Sequence, residues 1–179
     1  MGDDQLVKQA QAGDAQAFGQ LVDRHQPRIF GTLVKMTGDR DLAMDLTQDA
    51  FIRAWEQLRT FERRSAFSTW LYRIAVRLAY DAMRSRHRRD HRELDERIAD
   101  PDPGPDRRAE VAALSEDLRQ RIETLPEMQR AIVILRVYDD LPYKEIANIL
   151  ETTENSARVS FHHAVTRLRD GYMKEAPPP

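Results

Sequence analysis

Apolar residues recur at spacings of three and four through most of the chain, the pattern of helices that each turn one face to a core. The stretch from Ser65 to Arg92 shows it most fully. Phe67, Trp70, Leu71, Ile74, Ala75 and Leu78 make one continuous apolar face, and Ser68 stands where a helix N-cap is expected. Arg73, Arg77 and Arg84 lie opposite, and the sequence runs out into Arg86, Arg88, Arg89 and Arg92. A cationic surface bordered by aromatic rings suits a phosphate backbone and unpaired bases. A solvated basic helix whose aromatics are simply buried gives the same pattern.

The same periodicity predicts a short helix from Asp4 to Ala12, ended by a left-handed Gly13. Asp14 caps a second helix carrying Ala17, Phe18, Leu21 and Val22, which Pro27 kinks or restarts before Ile29, Phe30, Leu33 and Val34. Gly38 closes it, and Asp39 caps a third helix from about Arg40 to Leu58. There Leu46, Ala50, Ala54 and Leu58 share a face, with Phe51 and Trp55 at its flank. Asp45, Asp49, Arg53 and Glu56 form a polar stripe beside Ile52. That stripe is either an ordinary solvated face or a dock for a partner's basic helix.

From about Asp90 the pattern lapses into acidic residues with Pro101, Pro103, Gly104 and Pro105, a composition that reads as a flexible, negatively charged linker. Periodicity returns at Val111, with Leu114, Leu118 and Ile122 aligned. Thr124 is then placed as N-cap of a helix with Pro126 in its first turn and Ile132, Val133, Leu135 and Val137 as apolar bulk. Pro142 opens a short helix with Ile146, Ala147 and Leu150 inward. The polar turn Glu151-Thr152-Thr153 leads to a helix from about Glu154 to Lys174. Two helices joined by a tight turn, with small Ala147 and Ala157 where they cross, read as a helix-turn-helix whose Asn155, Ser156 and Arg158 can reach base edges and phosphates. A plain helical hairpin is the alternative. The whole is an all-α chain of two small helical domains.

Composition narrows the picture. Of 179 residues 41% are hydrophobic and 32% charged, with seven glycines, which favours helices over sheets. A net charge of −2 excludes coating nucleic acid through bulk charge, so any such contact must be local. The absence of cysteine removes disulfides and thiolate chemistry and fits a reducing cytosol. No signal peptide and no membrane span are read, and no glycine-rich phosphate loop or nucleophile-base pair indicates an enzyme. His162 and His163 point about 100° apart on a helix, so one is expected packed and one exposed, and no metal or cofactor is assigned.

Three segments together resemble the extracytoplasmic-function class of bacterial RNA polymerase sigma factors, within the sigma-70 family. The first is Asp45-Leu46-Thr47-Gln48-Asp49-Ala50-Phe51-Ile52-Arg53-Ala54-Trp55, similar to the family's core-binding segment. The second, Phe67-Ser68-Thr69-Trp70-Leu71-Tyr72-Arg73-Ile74-Ala75 with Asp81 and Arg84, resembles its minus-ten melting and reading helix. The third joins Leu125-Pro126, Gln129-Arg130 and Tyr143-Lys144-Glu145-Ile146-Ala147 and resembles the domain that reads the minus-thirty-five element.

The resemblance implies a non-catalytic, cytoplasmic promoter-specificity subunit, nucleoid-associated when in holoenzyme. Residues 1–92 would be sigma region 2, 93–110 a linker imitating nucleic acid, 111–174 region 4, and 175–179 a disordered tail. Asp45, Gln48, Asp49, Ile52 and Arg53 would bind polymerase core, which is contacted through its beta and beta-prime subunits. Phe61, Arg63, Arg64, Ser65, Phe67, Ser68, Arg73, Arg77 and Arg84 would hold the melted minus-ten strand, with a flipped base in the loop from Phe61 to Ala66. Tyr143, Lys144, Thr153, Asn155, Ser156, Arg158, His162 and Arg167 would contact minus-thirty-five duplex. An anti-sigma protein or a stress signal would control it. The chain departs from the family pattern at Arg77, where Asn is usual, and at Ser160, His163 and Val165, where cations are usual. Two other classes compete: a ligand-sensing helix-turn-helix regulator and a protein-interaction module without DNA contact.

Overall fold

A computed structural model of the chain describes residues 2–90 and 117–175, and side chains for 2–86 and 117–171. Helices α1 (Asp3–Gln11), α2 (Ala15–Thr37), α3 (Arg40–Gln57) and α4 (Phe67–Asp90) form the N-terminal bundle, with one 3-10 turn, Leu58–Thr60, before the loop into α4. The C-terminal half comprises α5 (117–123), α6 (Glu127–Val133), a π-turn at Ile134–Tyr138, α7 (Tyr143–Ile149) and α8 (Glu154–Glu175). No strand occurs among the described residues. No described helix is long and apolar enough to cross a membrane. The predicted linker and Val111 and Leu114 lie outside the described residues. The predicted tail does too, except Glu175, which belongs to α8.

Local chemistry sets most boundaries. Asp14 accepts hydrogen bonds from the Gln16 and Ala17 amides, and Asp39 from those of Asp41 and Leu42, so both carboxylates close orphan donors of a first turn. Gly38 ends α2 at φ 67°, a left-handed backbone that favours glycine. Leu6, Leu21, Leu33, Leu58 and Leu71 are almost wholly buried, each worth about 1.5–3 kcal/mol.

Four local expectations are corrected. Helix α2 runs through Pro27 without restarting, on a turn whose residues 26–28 face solvent, where water can serve the carbonyl the proline leaves unpaired. Helix α4 already starts at Phe67, with the Trp70 amide bonded to Ala66 O, so Ser68 lies inside the first turn rather than at the cap. Thr124 turns its hydroxyl back to Arg121 O, and Pro126 takes the cap position of α6 instead. Leu118 and Val137 are exposed at 44% and 59%, because α5 offers little beyond Ile122 to the core and the π-turn rotates Val137 outward.

The two halves pack into one body. Thr32 Oγ1 on α2 donates to Asp139 Oδ2 at 2.7 Å, and Arg28 donates to Asp139 O. Arg130, half-buried on α6, gives one hydrogen bond to Met36 O at the end of α2 (3.2 Å) and another to Glu123 O in its own half. Helix α7 lies along α4, with Thr69 Oγ1 at 3.5 Å from Glu145 Oε2.

Candidate nucleic-acid and polymerase interfaces

On α3 the apolar and polar positions separate as the periodicity requires. Ala43, Leu46, Ala50 and Ala54 face the core, while Asp45, Gln48, Asp49, Ile52 and Arg53 are all exposed. Ile52 is 55% exposed and borders a shallow apolar depression of about 390 Å³ with Ala15, Phe18, Phe51 and Trp55. Trp55 leans on Phe18 with ring centroids 4.9 Å apart and leaves 40% of its surface open. The sequence reading found the acidic stripe but not this apolar neighbour, because Phe18 sits on another helix. The exposed Ile52 was its only signal.

The loop before α4 is anchored by α1. Gln11 Nε2 donates to Leu58 O (2.9 Å) and Phe61 O (2.8 Å), fixing the chain as it leaves the 3-10 turn. Phe61 stacks on Trp70 at 4.6 Å, Phe67 packs against both, and His25 closes the cluster 5.4 Å from Phe67. Phe61 and Phe67 are therefore buried at 8% and 2%, their rings spent on the core. This corrects the expectation of exposed aromatics for stacking. Arg63, at φ 56°, and Arg64, paired with Glu62 at 2.6 Å, are exposed. Ser65 and Ser68 are half-buried.

Arg73, Arg77 and Arg84 project from α4 on its exposed side. With Arg53 of α3, Arg73 and Arg77 line a polar cleft of about 620 Å³ together with Gln57, Asp81 and Glu151. A smaller cleft continues along α4 past Tyr80 to Arg84. Glu151 comes from the turn between α7 and α8, so the structure brings the α4 cations and the helix-turn-helix to one groove. Its carboxylate is 3.9 Å from Arg73.

In the helix-turn-helix, Thr153 Oγ1 accepts the Ser156 amide at 3.1 Å and donates to Ser156 Oγ at 2.8 Å. Both hydroxyls are thus engaged in capping α8. Tyr143 is half-buried, with the guanidinium groups of Arg136 and Arg158 5.2 and 5.1 Å from its ring centre and Phe161 edge-on to it, so it braces α7 against α8. Arg158 also pairs with Glu154 at 2.9 Å. Lys144, Asn155, His162 and Arg167 are exposed. At about 100° per residue, Arg158 and Arg167 stand on opposite flanks of one outward arc, with Val159 and His162 between them. His162 and His163 are both exposed, which corrects the expectation that one is packed. No cluster of metal-ligating side chains occurs among the described residues.

Comparison with known proteins agrees with this architecture. The family model for Sigma-70 region 2 matches residues 21–89, and that for Sigma-70, region 4 matches 115–168. The ECF RNA polymerase sigma-E factor of Escherichia coli is 36% identical over 87% of this chain and 86% of its own length. CnrH, solved in complex with the cytosolic domain of CnrY, superposes with a TM-score of 0.75 at 22% identity, covering 97% of this chain and 99% of that one. The sigma factor RpoE of Bartonella quintana, solved with the anti-sigma factor NepR, gives a TM-score of 0.71 at 22% identity, covering 90% and 100%. The chain belongs to the extracytoplasmic-function group of the sigma-70 family, whose members bind RNA polymerase core and promoter DNA.

Proposed function

We propose that residues 1–92 act as region 2 and 111–174 as region 4 of a factor that recruits polymerase core to promoters, joined by 93–110 as a linker. Asp45, Gln48, Asp49, Ile52 and Arg53 dock on the coiled coil of the beta-prime subunit. The observation that carries this assignment is the exposed acidic row of α3 lying beside the depression at Phe18 and Trp55. A basic helix with one apolar edge is complementary to both. The α4 cations with Arg63, Arg64, Ser65 and Ser68 hold the melted minus-ten strand. Phe61 and Phe67 support that loop from beneath. Lys144, Asn155, Arg158, His162 and Arg167 meet minus-thirty-five duplex, with Tyr143, Thr153 and Ser156 setting the geometry of the turn. The protein works in the cytoplasm, on the nucleoid when in holoenzyme. An anti-sigma protein controls it, a reading supported by the likeness to a sigma factor solved with one.

Mixing the purified chain with polymerase core and scoring promoter-dependent transcripts tests the function. Reversing Asp45 and Asp49 to Lys tests the surface. Like charges across an interface cost several kcal/mol, so core binding should fall by orders of magnitude while the fold survives, both side chains being exposed. Wild-type affinity in the double variant would place the polymerase elsewhere.

A further inference from the structure

Helix α1 is tied down at both ends. At its start Asp3 accepts from Arg24 at 2.9 Å and lies 2.7 Å from His25 Nε2, the ring that packs against Phe67. At its end the half-buried Gln11 donates from one amide nitrogen to Leu58 O and Phe61 O, at 2.9 and 2.8 Å. A primary amide carries two N–H donors, so a single side chain can serve both carbonyls. Leu6, Val7 and Ala10 between these ends are buried, so the helix cannot shift without opening that part of the core. Beyond Phe61 the chain arches through Glu62, Arg63, Arg64, Ser65 and Ala66 and returns to the core at Phe67. Within the arch Arg63 holds a left-handed backbone, φ 56°, which a residue with a side chain keeps only where its surroundings fix it. Phe61 O is the last carbonyl before the arch, and its bond to Gln11 turns it towards α1.

We propose that Gln11 is a positioning residue for base selection. By holding Phe61 O against α1 it sets the peptide plane between Phe61 and Glu62, and with it the direction in which Arg63, Arg64 and Ser65 are presented to an unpaired base. The inference rests on the reading of this loop as part of the minus-ten face. Gln11 acts from behind the loop, through the backbone alone. Hydrogen bonds weaken steeply as their angle departs from linear, so a rotated peptide plane lowers selectivity before it affects the fold. The ends of the arch stay in place without the amide, because Phe61 and Phe67 pack on Trp70 independently of it.

Holoenzyme reconstituted from polymerase core and the full-length chain serves for the test, with single-stranded deoxyoligonucleotides carrying a short randomised tract as probe. Sequencing the bound fraction gives the base preference at each position, corrected for what core alone retains, and titration with labelled core reports assembly. Three variants are compared with wild type. Gln11→Met keeps the length and loses the donor, Gln11→Lys supplies an ammonium that can donate to both carbonyls, and Gln5→Met makes the first change at an exposed position of α1. Gln11→Met should lower the preference at one position of the tract about tenfold, the worth of one well-directed hydrogen bond, and leave the other positions and core affinity at wild-type values. Gln11→Lys should restore that preference, since its added charge attracts every sequence alike and drops out of a ratio between bases. Gln5→Met should change nothing. Wild-type preference in Gln11→Met would overturn the proposal. So would a loss spread evenly over all positions and core affinity, which marks a support of the bundle alone. Equal loss in Gln11→Lys would trace the effect to side-chain shape instead of the donated bonds and overturn it too. If wild-type holoenzyme prefers no base beyond core alone, the loop reads no strand, and the minus-ten assignment falls together with the proposal.

Discussion

Asp139 shows what one residue can decide. Burial pushes its carboxyl above the ordinary aspartate value of 3.8, and the Thr32 hydroxyl with the charges of Arg28 and Lys35 only partly opposes this. Tyr72, buried beside it, is pushed up to about 12 by that burial and then by the charge of Asp139. A carboxyl with a raised folded-state pKa contributes stability that is full below its unfolded value of 3.8 and is lost as pH rises through the folded value. Asp39 has the opposite sign. The Leu42 amide, helped by Arg86, holds it low, so its contribution is present above 3.8 and is lost in acid. Asp139→Asn keeps an acceptor for Thr32 and removes the charge. Its unfolding midpoint should show a smaller loss than wild type as pH rises from 3.8 towards neutrality, and at pH 7 it should equal or exceed wild type. A wild-type pH profile in thermal melts would show that the buried charge contributes nothing. None of this was legible in the sequence, where nothing distinguishes Asp139 from the neighbouring Asp140. Only the packing of α2 separates them, burying Asp139 and leaving Asp140 exposed.

At the scale of elements, far more was legible. The order and type of helices, the Asp14 and Asp39 caps and the left-handed Gly38 follow from local chemistry, and the structure repeats them. The aromatic and apolar misses share one physical cause, which is that another element decided the outcome. Phe61 and Phe67 could stack bases until Trp70 and His25 closed around them. On α3 the periodicity placed the polar stripe correctly, yet its apolar border needed Phe18 from α2. Ile52→Ala tests the value of that border. Truncating an exposed side chain should change stability by no more than about 0.5 kcal/mol. If the depression receives a partner helix, core affinity should fall by about 1 kcal/mol or more, as for an anchor residue in an interface. Titrating labelled polymerase core with the variant checks both expectations, and unchanged affinity would confine binding to the charges.

For the molecule as a whole, the net charge of −2 means that DNA must be held by local rows of cations, and the two rows differ in strength. Along α4, Arg73, Arg77 and Arg84 are supplemented by Arg53. On α8 the outward arc carries few cations: Arg158 pairs with Glu154 and Arg167 stands at the other flank, with Val159 and His162 between them, while Arg169 pairs with Asp170. Duplex affinity falls with salt at a logarithmic slope of about −0.9 per phosphate neutralised, so this helix should bind weakly and with a shallow slope. Full-length chain titrated onto minus-thirty-five duplex at several salt concentrations should be compared with Ser160→Arg/His163→Arg. Two new phosphate contacts should deepen the slope by about 2 and tighten binding most at low salt. Equal slopes for the two proteins would mean that positions 160 and 163 never face the backbone, and the DNA face of α8 would have to be turned away from them.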